Sequence, residues 1–147
     1  MYQSLPKVSI LITAEEAYIR SEIRDVVRTL GAGRVYLARN AKDGLLLAGD
    51  SSTAINLIVC DWQLPEMNGF EFVSQARQWI PNALSLMVTG QSDPDHIRAA
   101  GQKGINGLVI KPFSRAQLES KLRALAERVG APKVERPAPV AAVAARA

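Results

Sequence analysis

Residues 55–60 read INLIVC, and Asp61 follows them directly in the segment CDWQLPEMNG at 60–69. The run is short, apolar and rich in β-branched side chains, which suits a strand buried on both faces. Working outward, four other runs share its character: Val8 to Thr13, Arg34 to Ala38, Leu84 to Val88 and Gly107 to Ile110. Helical patterns lie between them. Ile19, Ile23, Val26, Val27 and Leu30 recur at helical spacing, with Arg20, Arg24 and Arg28 on another face and Gly31 as a stop. Leu118, Leu122, Leu125 and Val129 form a second stripe that Gly130 ends, with Ser114 as its expected N-cap. Weaker patterns place helices at Ala41–Ala48, Gly69–Trp79 and Asp93–Gln102, the last opened by Asp93-Pro94.

Five strands alternating with five helices predict an α/β domain with a doubly wound parallel sheet. In such sheets ligands bind beyond the carboxyl ends of the strands. The residues expected there are Ala14, Glu15 and Glu16 after the first strand and Asp61 after the third. Thr89 and Gly90 follow the fourth, and Lys111 the fifth. One or two carboxylates, a hydroxyl and an ammonium would converge on one edge. That set suits phosphoryl transfer. Carboxylates with water suit Mg²⁺, an aspartate can act as nucleophile, and lysine offsets charge on the transferred oxygens.

Each residue also has a plainer reading. A lone Asp after a strand is usually a turn or cap residue. Thr89 alone reads as a strand end and Lys111 as a solvated loop charge. Cys60 reads as a small core residue. His96 reads as a surface residue of its helix, and Trp62 as core, lid or partner surface. Joint occurrence at successive strand ends carries the functional reading.

The 147 residues fit one domain, expected over 1–130, and a Pro/Ala-rich tail over 131–147 expected to be disordered. Net charge is +4, half of it in that tail, so a nucleic-acid-binding body is disfavoured. One cysteine and one histidine exclude an internal disulfide and a multi-His zinc site. The N-terminus lacks a signal-peptide layout, and no apolar run approaches the ~18 residues of a membrane span. A cytoplasmic location is the expectation.

Three motifs carry a family resemblance, over roughly Pro6 to Gly130. Asp61 to Gly69 matches D-x-x-[ML]-P-x-[ML]-[DN]-G, Met87-Val88-Thr89-Gly90 matches a strand ending in Thr or Ser before a small residue, and Ile110-Lys111-Pro112-Phe113 matches a Lys-Pro-Phe signature. The chain resembles the receiver domain of bacterial response regulators, single-domain chemotaxis regulators in particular. The resemblance implies a flavodoxin-like receiver fold and a stand-alone response regulator of two-component signalling. Asp61 would accept a phosphoryl group from the phosphohistidine of a histidine kinase or phosphotransfer protein. Glu15, Asp61 and the backbone carbonyl of Gln63 would hold Mg²⁺. Thr89 and Lys111 would hold the phosphoryl group, Gly90 would leave space for the donor, and Gln63 and Gln91 would tune dephosphorylation. The output face would carry Arg98, Lys103, Arg115 and Lys121 and bind a downstream protein.

Two departures follow from the same comparison. Counting back from Arg20 and Gly31 puts the family's acidic pair at Ala14 and Glu15, so one carboxylate is missing and weaker Mg²⁺ binding is expected. A register using Glu15 and Glu16 is disfavoured, because a one-residue slip exchanges the faces of the strand. Leu108 stands where the family commonly has an aromatic that turns inward with the threonine, so that coupling is not expected here.

A pseudo-receiver, in which the fold is a phosphorylation-independent interaction module, is the competing reading; Ala14 and Leu108 favour it. Nucleotide binding after the first strand is disfavoured by Glu15 and Glu16, which put negative charge where a phosphate would sit. Binding of an anionic second messenger by Arg98 or Arg115 is a further alternative. No His-based triad points to an independent enzyme.

Overall fold

In the computed structural model, which describes residues 7–129, a five-stranded parallel sheet has the order β2-β1-β3-β4-β5. The strands are β1 (Ser9–Thr13), β2 (Arg34–Ala38), β3 (Leu57–Asp61), β4 (Leu84–Thr89) and β5 (Gly107–Ile110). The helices are α1 (Ala17–Thr29), α2 (Ala41–Gly49), α3 (Gly69–Ala76), α4 (Pro94–Gln102) and α5 (Arg115–Val129). The expected tail at 131–147 lies outside the described residues.

Strand alternation divides the core into two layers. Ile10, Ile12, Val59, Leu86 and Val88 face α1 and α5, packing on Ile23, Val27, Leu118 and Leu122. Leu11, Ile58, Cys60 and Met87 face the other helices, packing on Ala41, Phe72, Val73 and Ala100. Strand order reverses direction between β1 and β3, so the carboxyl ends of β1, β3, β4 and β5 face a common edge.

Four differences from the sequence reading have physical causes. The strand β2 is only half-buried, with Leu37 exposed, because it is an edge strand. Strand β3 begins two residues later than expected, at Leu57, because the Asn56 carboxamide and backbone tie that position to Ser9. Asp61 is then the last strand residue, paired with Val88. The helix α3 ends at Ala76, three residues early. There the Arg77 guanidinium turns away to the carbonyls of Ala83 and Gly104 and to Asn106 Oδ1, and Pro81 disfavours helical backbone at Ile80. A short 3₁₀ turn at Ser51–Thr53, capped by Asp50, was not anticipated.

Candidate functional site

Asp61 is 4% exposed at the end of β3. One carboxylate oxygen, Oδ2, accepts from Lys111 Nζ at 3.0 Å, and Oδ1 accepts from the Gln63 backbone N–H at 3.1 Å. Lys111 follows β5, and its own N–H donates to the Thr89 carbonyl at 2.7 Å. Three strand ends are thereby joined through Asp61, Lys111 and Thr89. Gly90 borders open space, since a Cβ built there meets nothing within 4 Å.

The loop after Asp61 is fastened at both ends. Trp62 N–H donates to the Val88 carbonyl at 2.8 Å and Gly69 N–H to the Trp62 carbonyl at 2.7 Å. Gly69 permits this closeness: a Cβ would come within 2.9 Å of the Asp61 carbonyl oxygen and 2.7 Å of Met87 Cε. Asn68 and Glu71 then form a reciprocal capping box that starts α3.

Before β1 hands over to α1, the chain is held by Arg20, whose Nη1 donates to the carbonyls of Ala14 and Glu15, both at 2.7 Å. Ala14 is fully buried on the α1/α5 side of the sheet, while Glu15 is exposed beside Arg39, Lys42 and Glu66. Oxygen donors suited to Mg²⁺ are present in Glu15, Asp61 and the Gln63 carbonyl. Among the described residues no group of three His, Cys, Asp or Glu side chains comes together to hold a metal, so the donor set has two carboxylates at most.

His96 differs from its sequence reading. It is 7% exposed, with Nε2 3.1 Å from Thr89 Oγ1. Its ring stacks on Phe70 at 5.4 Å and meets Trp62 edge-on at 5.1 Å. Desolvation lowers its pKa from the ordinary histidine value, partly opposed by the charge of Asp93. The signal for burial was present in the spacing: His96 and Ala100 lie four apart on one face of α4. Trp62 resolves as a half-buried side chain packed over Phe70 and His96, its Nε1 without a hydrogen-bond partner among the described residues.

Leu108 is 3% exposed and packs in the α2/α3/α4 layer with Met87 and Phe70. The basic residues assigned to one output face divide. Arg98 pairs with Asp95 on exposed α4, and Lys103 borders a recess beside Phe70 and Ser74 of α3. Arg115 instead pairs with Glu119 and donates to Thr29 Oγ1 of α1 at 2.9 Å. Cys60 is buried, and burial, then the charge of Asp61, push its thiol pKa up, so it is an inert core residue.

Residues 10–123 match the response regulator receiver domain. The chemotaxis protein CheY-3 of Vibrio cholerae is 30% identical over 129 residues, covering 83% of this chain and 94% of that protein. The chemotaxis protein CheY of Pseudomonas aeruginosa is 30% identical over 124 residues, covering 83% and 98%. Among solved structures, the chemotaxis response regulator CheY4 of Vibrio cholerae superposes with a TM-score of 0.70 at 26% identity, covering 83% of this chain and 98% of that one. A CheY-like receiver domain protein from Methanospirillum hungatei superposes with a TM-score of 0.73 at 24% identity over 82% and 94%, a likeness of fold.

Proposed function

Because the chain belongs to the family of response regulator receiver domains, we propose that it is a two-component signalling switch that accepts a phosphoryl group on Asp61. The observation that carries this reading is the Asp61–Lys111 ion pair at 3.0 Å, formed beside Thr89 at the carboxyl edge of the sheet. In the transfer, an Asp61 carboxylate oxygen would attack the phosphorus of a donor phosphohistidine. A P–O bond forms as the P–N bond breaks, and the leaving imidazole keeps the electron pair and takes a proton. Lys111, 3.0 Å from Asp61, would balance charge on the transferred oxygens, and the Thr89 hydroxyl on the adjacent strand would donate a hydrogen bond to them. Open space above Gly90 leaves room for the donor.

Glu15, Asp61 and the Gln63 carbonyl would hold Mg²⁺, which when bound supplies further neutralisation of the phosphoryl charge. With Ala14 supplying a methyl where a carboxylate would add charge, affinity is expected to be low. Phosphorylation adds roughly −1.5 to −2 charge at a site joined to the loops after β4 and β5, and a shift in those loops would reach α4 and a downstream protein. Among the described residues no helix is long and apolar enough to cross a membrane.

The limited donor set favours a second reading, a pseudo-receiver that binds partners without phosphorylation. Amide NMR spectra with Mg²⁺ alone, and then with beryllofluoride, separate the two. Shifts at Asp61, Thr89 and Lys111 that spread through α4 and are absent in Asp61→Asn support the switch. No response at millimolar Mg²⁺ leaves the binding module.

A further inference from the structure

His96 is a buried titratable group with no part in the reading above. Its Nε2 lies 3.1 Å from Thr89 Oγ1, and Thr89 is 1% exposed. The same oxygen has another partner, the Gln91 backbone N–H at 3.1 Å. That amide is a donor, so Thr89 Oγ1 accepts from it. The hydroxyl proton is then best satisfied by an acceptor, because most buried donors are paired. Of the two groups that contact Oγ1 among the described residues, His96 Nε2 is the one able to accept it. In the tautomer that satisfies this hydroxyl, Thr89 donates to a bare Nε2 and the ring carries its proton on Nδ1.

The ring is held firmly in this role. His96 sits in the first turn of α4, and its backbone N–H donates to Asp93 Oδ2 at 3.1 Å. Phe70 and Trp62 pack against two sides of the ring. Four segments thus meet at one imidazole: the end of β4, the start of α4, the loop after β3 and the start of α3. Leu108, on neighbouring β5, has no polar atom with which to exchange for the hydroxyl.

We propose that His96 is a positioning residue: it accepts the Thr89 hydroxyl proton in the resting protein, and a phosphoryl oxygen on Asp61 must take that proton from it. This rests on the reading of Asp61 as phosphoacceptor. A hydroxyl has one proton to donate. Thr89 therefore cannot serve the phosphoryl group and His96 at once, and activation releases the imidazole. Since that imidazole heads α4, the exchange would deliver the signal to the first turn of α4 and to Trp62.

Beryllofluoride binding at fixed millimolar Mg²⁺, read by Trp62 fluorescence in a Trp79→Phe background, tests the exchange. His96→Phe keeps a ring against Trp62 and Phe70 but removes the acceptor, so beryllofluoride is expected to bind roughly fivefold tighter, the worth of one neutral hydrogen bond. His96→Gln restores an acceptor and is expected to return affinity toward the unaltered protein. In a Thr89→Ala background His96→Phe is expected to change nothing. A merely structural role would weaken binding in both His96 variants. Ring ¹⁵N spectra of the unaltered protein give a readout that needs no variant: a bare Nε2 at rest, altered on adding beryllofluoride. Unchanged or weaker binding in folded His96→Phe, or a protonated Nε2 at rest, overturns the proposal. Failure of the unaltered protein to bind beryllofluoride overturns the Asp61 reading and this inference with it. An intact response with no effect of His96→Phe overturns this inference alone.

Discussion

At Asp61 a buried carboxylate has two partners, Lys111 Nζ and the Gln63 N–H, and both belong to loops that begin where strands end. Single side chains around it carry measurable consequences. Gly69→Ala would force a Cβ to within 2.9 Å of the Asp61 carbonyl oxygen, a backbone atom that cannot swing aside. The expected cost is about 1–3 kcal/mol of overpacking, read as a lower urea midpoint. His96 gives a pH signature of definite sign. Burial lowers its folded pKa below the value of about 6.5 in an unfolded chain. In the window below about 6.5 the unfolded chain takes up a proton that the folded chain resists, so stability falls as pH falls. Above that window both states are neutral and this group contributes no slope. The urea midpoint of the unaltered protein is expected to drop between pH 7.5 and pH 5 by more than that of His96→Phe. Equal drops would show that other groups set the slope.

At the scale of elements, caps and side-chain clasps decide where each helix begins and ends. Ser114 and Gln117 cap α5 reciprocally, Ser114 Oγ accepting at 3.1 Å and Gln117 Oε1 at 2.8 Å, as the sequence suggested for Ser114. Asn68 does the same for α3 and so anchors the loop that carries Gln63. Asn68→Ala is expected to cost about 1 kcal/mol and to broaden the amide signals of 62–68 in NMR, since the cap and the loop share one anchor. The clasp at Arg77 is of another kind. Its guanidinium joins the end of α3 to the loops before β4 and β5 through Ala83, Gly104 and Asn106. Burial lowers the Arg77 pKa without neutralising it. Arg77→Met preserves the stem but takes the guanidinium from the part-buried carbonyls of Ala83 and Gly104, while Asn106 Oδ1 keeps the Ser85 N–H. A loss of about 1–3 kcal/mol in urea unfolding is expected.

Over the whole molecule, the two core layers hold the sheet while the candidate site occupies one edge, so a ligand bound there would be linked to stability. Mg²⁺ that binds the folded state alone raises the melting temperature by an amount that grows with the logarithm of its concentration over Kd. The unaltered protein is expected to show little thermal shift in 10 mM Mg²⁺. Ala14→Asp places a carboxylate at a fully buried position beside Glu15. It is expected to melt lower without metal, because an unpaired buried charge is costly, and to gain a larger Mg²⁺-dependent shift. A variant with no added Mg²⁺ response would remove position 14 from the metal site.

The sequence by itself determined the sheet, the strand-end residues and the family, because those depend on local patterning: apolar runs of strand length, helical stripes, and three motifs in order. Asp61, Thr89 and Lys111 were legible because polar residues at the ends of buried strands have one place to go in a doubly wound sheet. Only the tertiary structure decided the surroundings of Thr89. The spacing of His96 and Ala100 marks an inward face of α4, but that His96 on this face meets Thr89, Phe70 and Trp62 is set by packing between segments far apart in the chain. The same holds for Arg115, whose partner Thr29 lies on α1, 86 residues away. A side chain's neighbours across elements are fixed by three-dimensional packing of the whole core, and local periodicity carries no record of them.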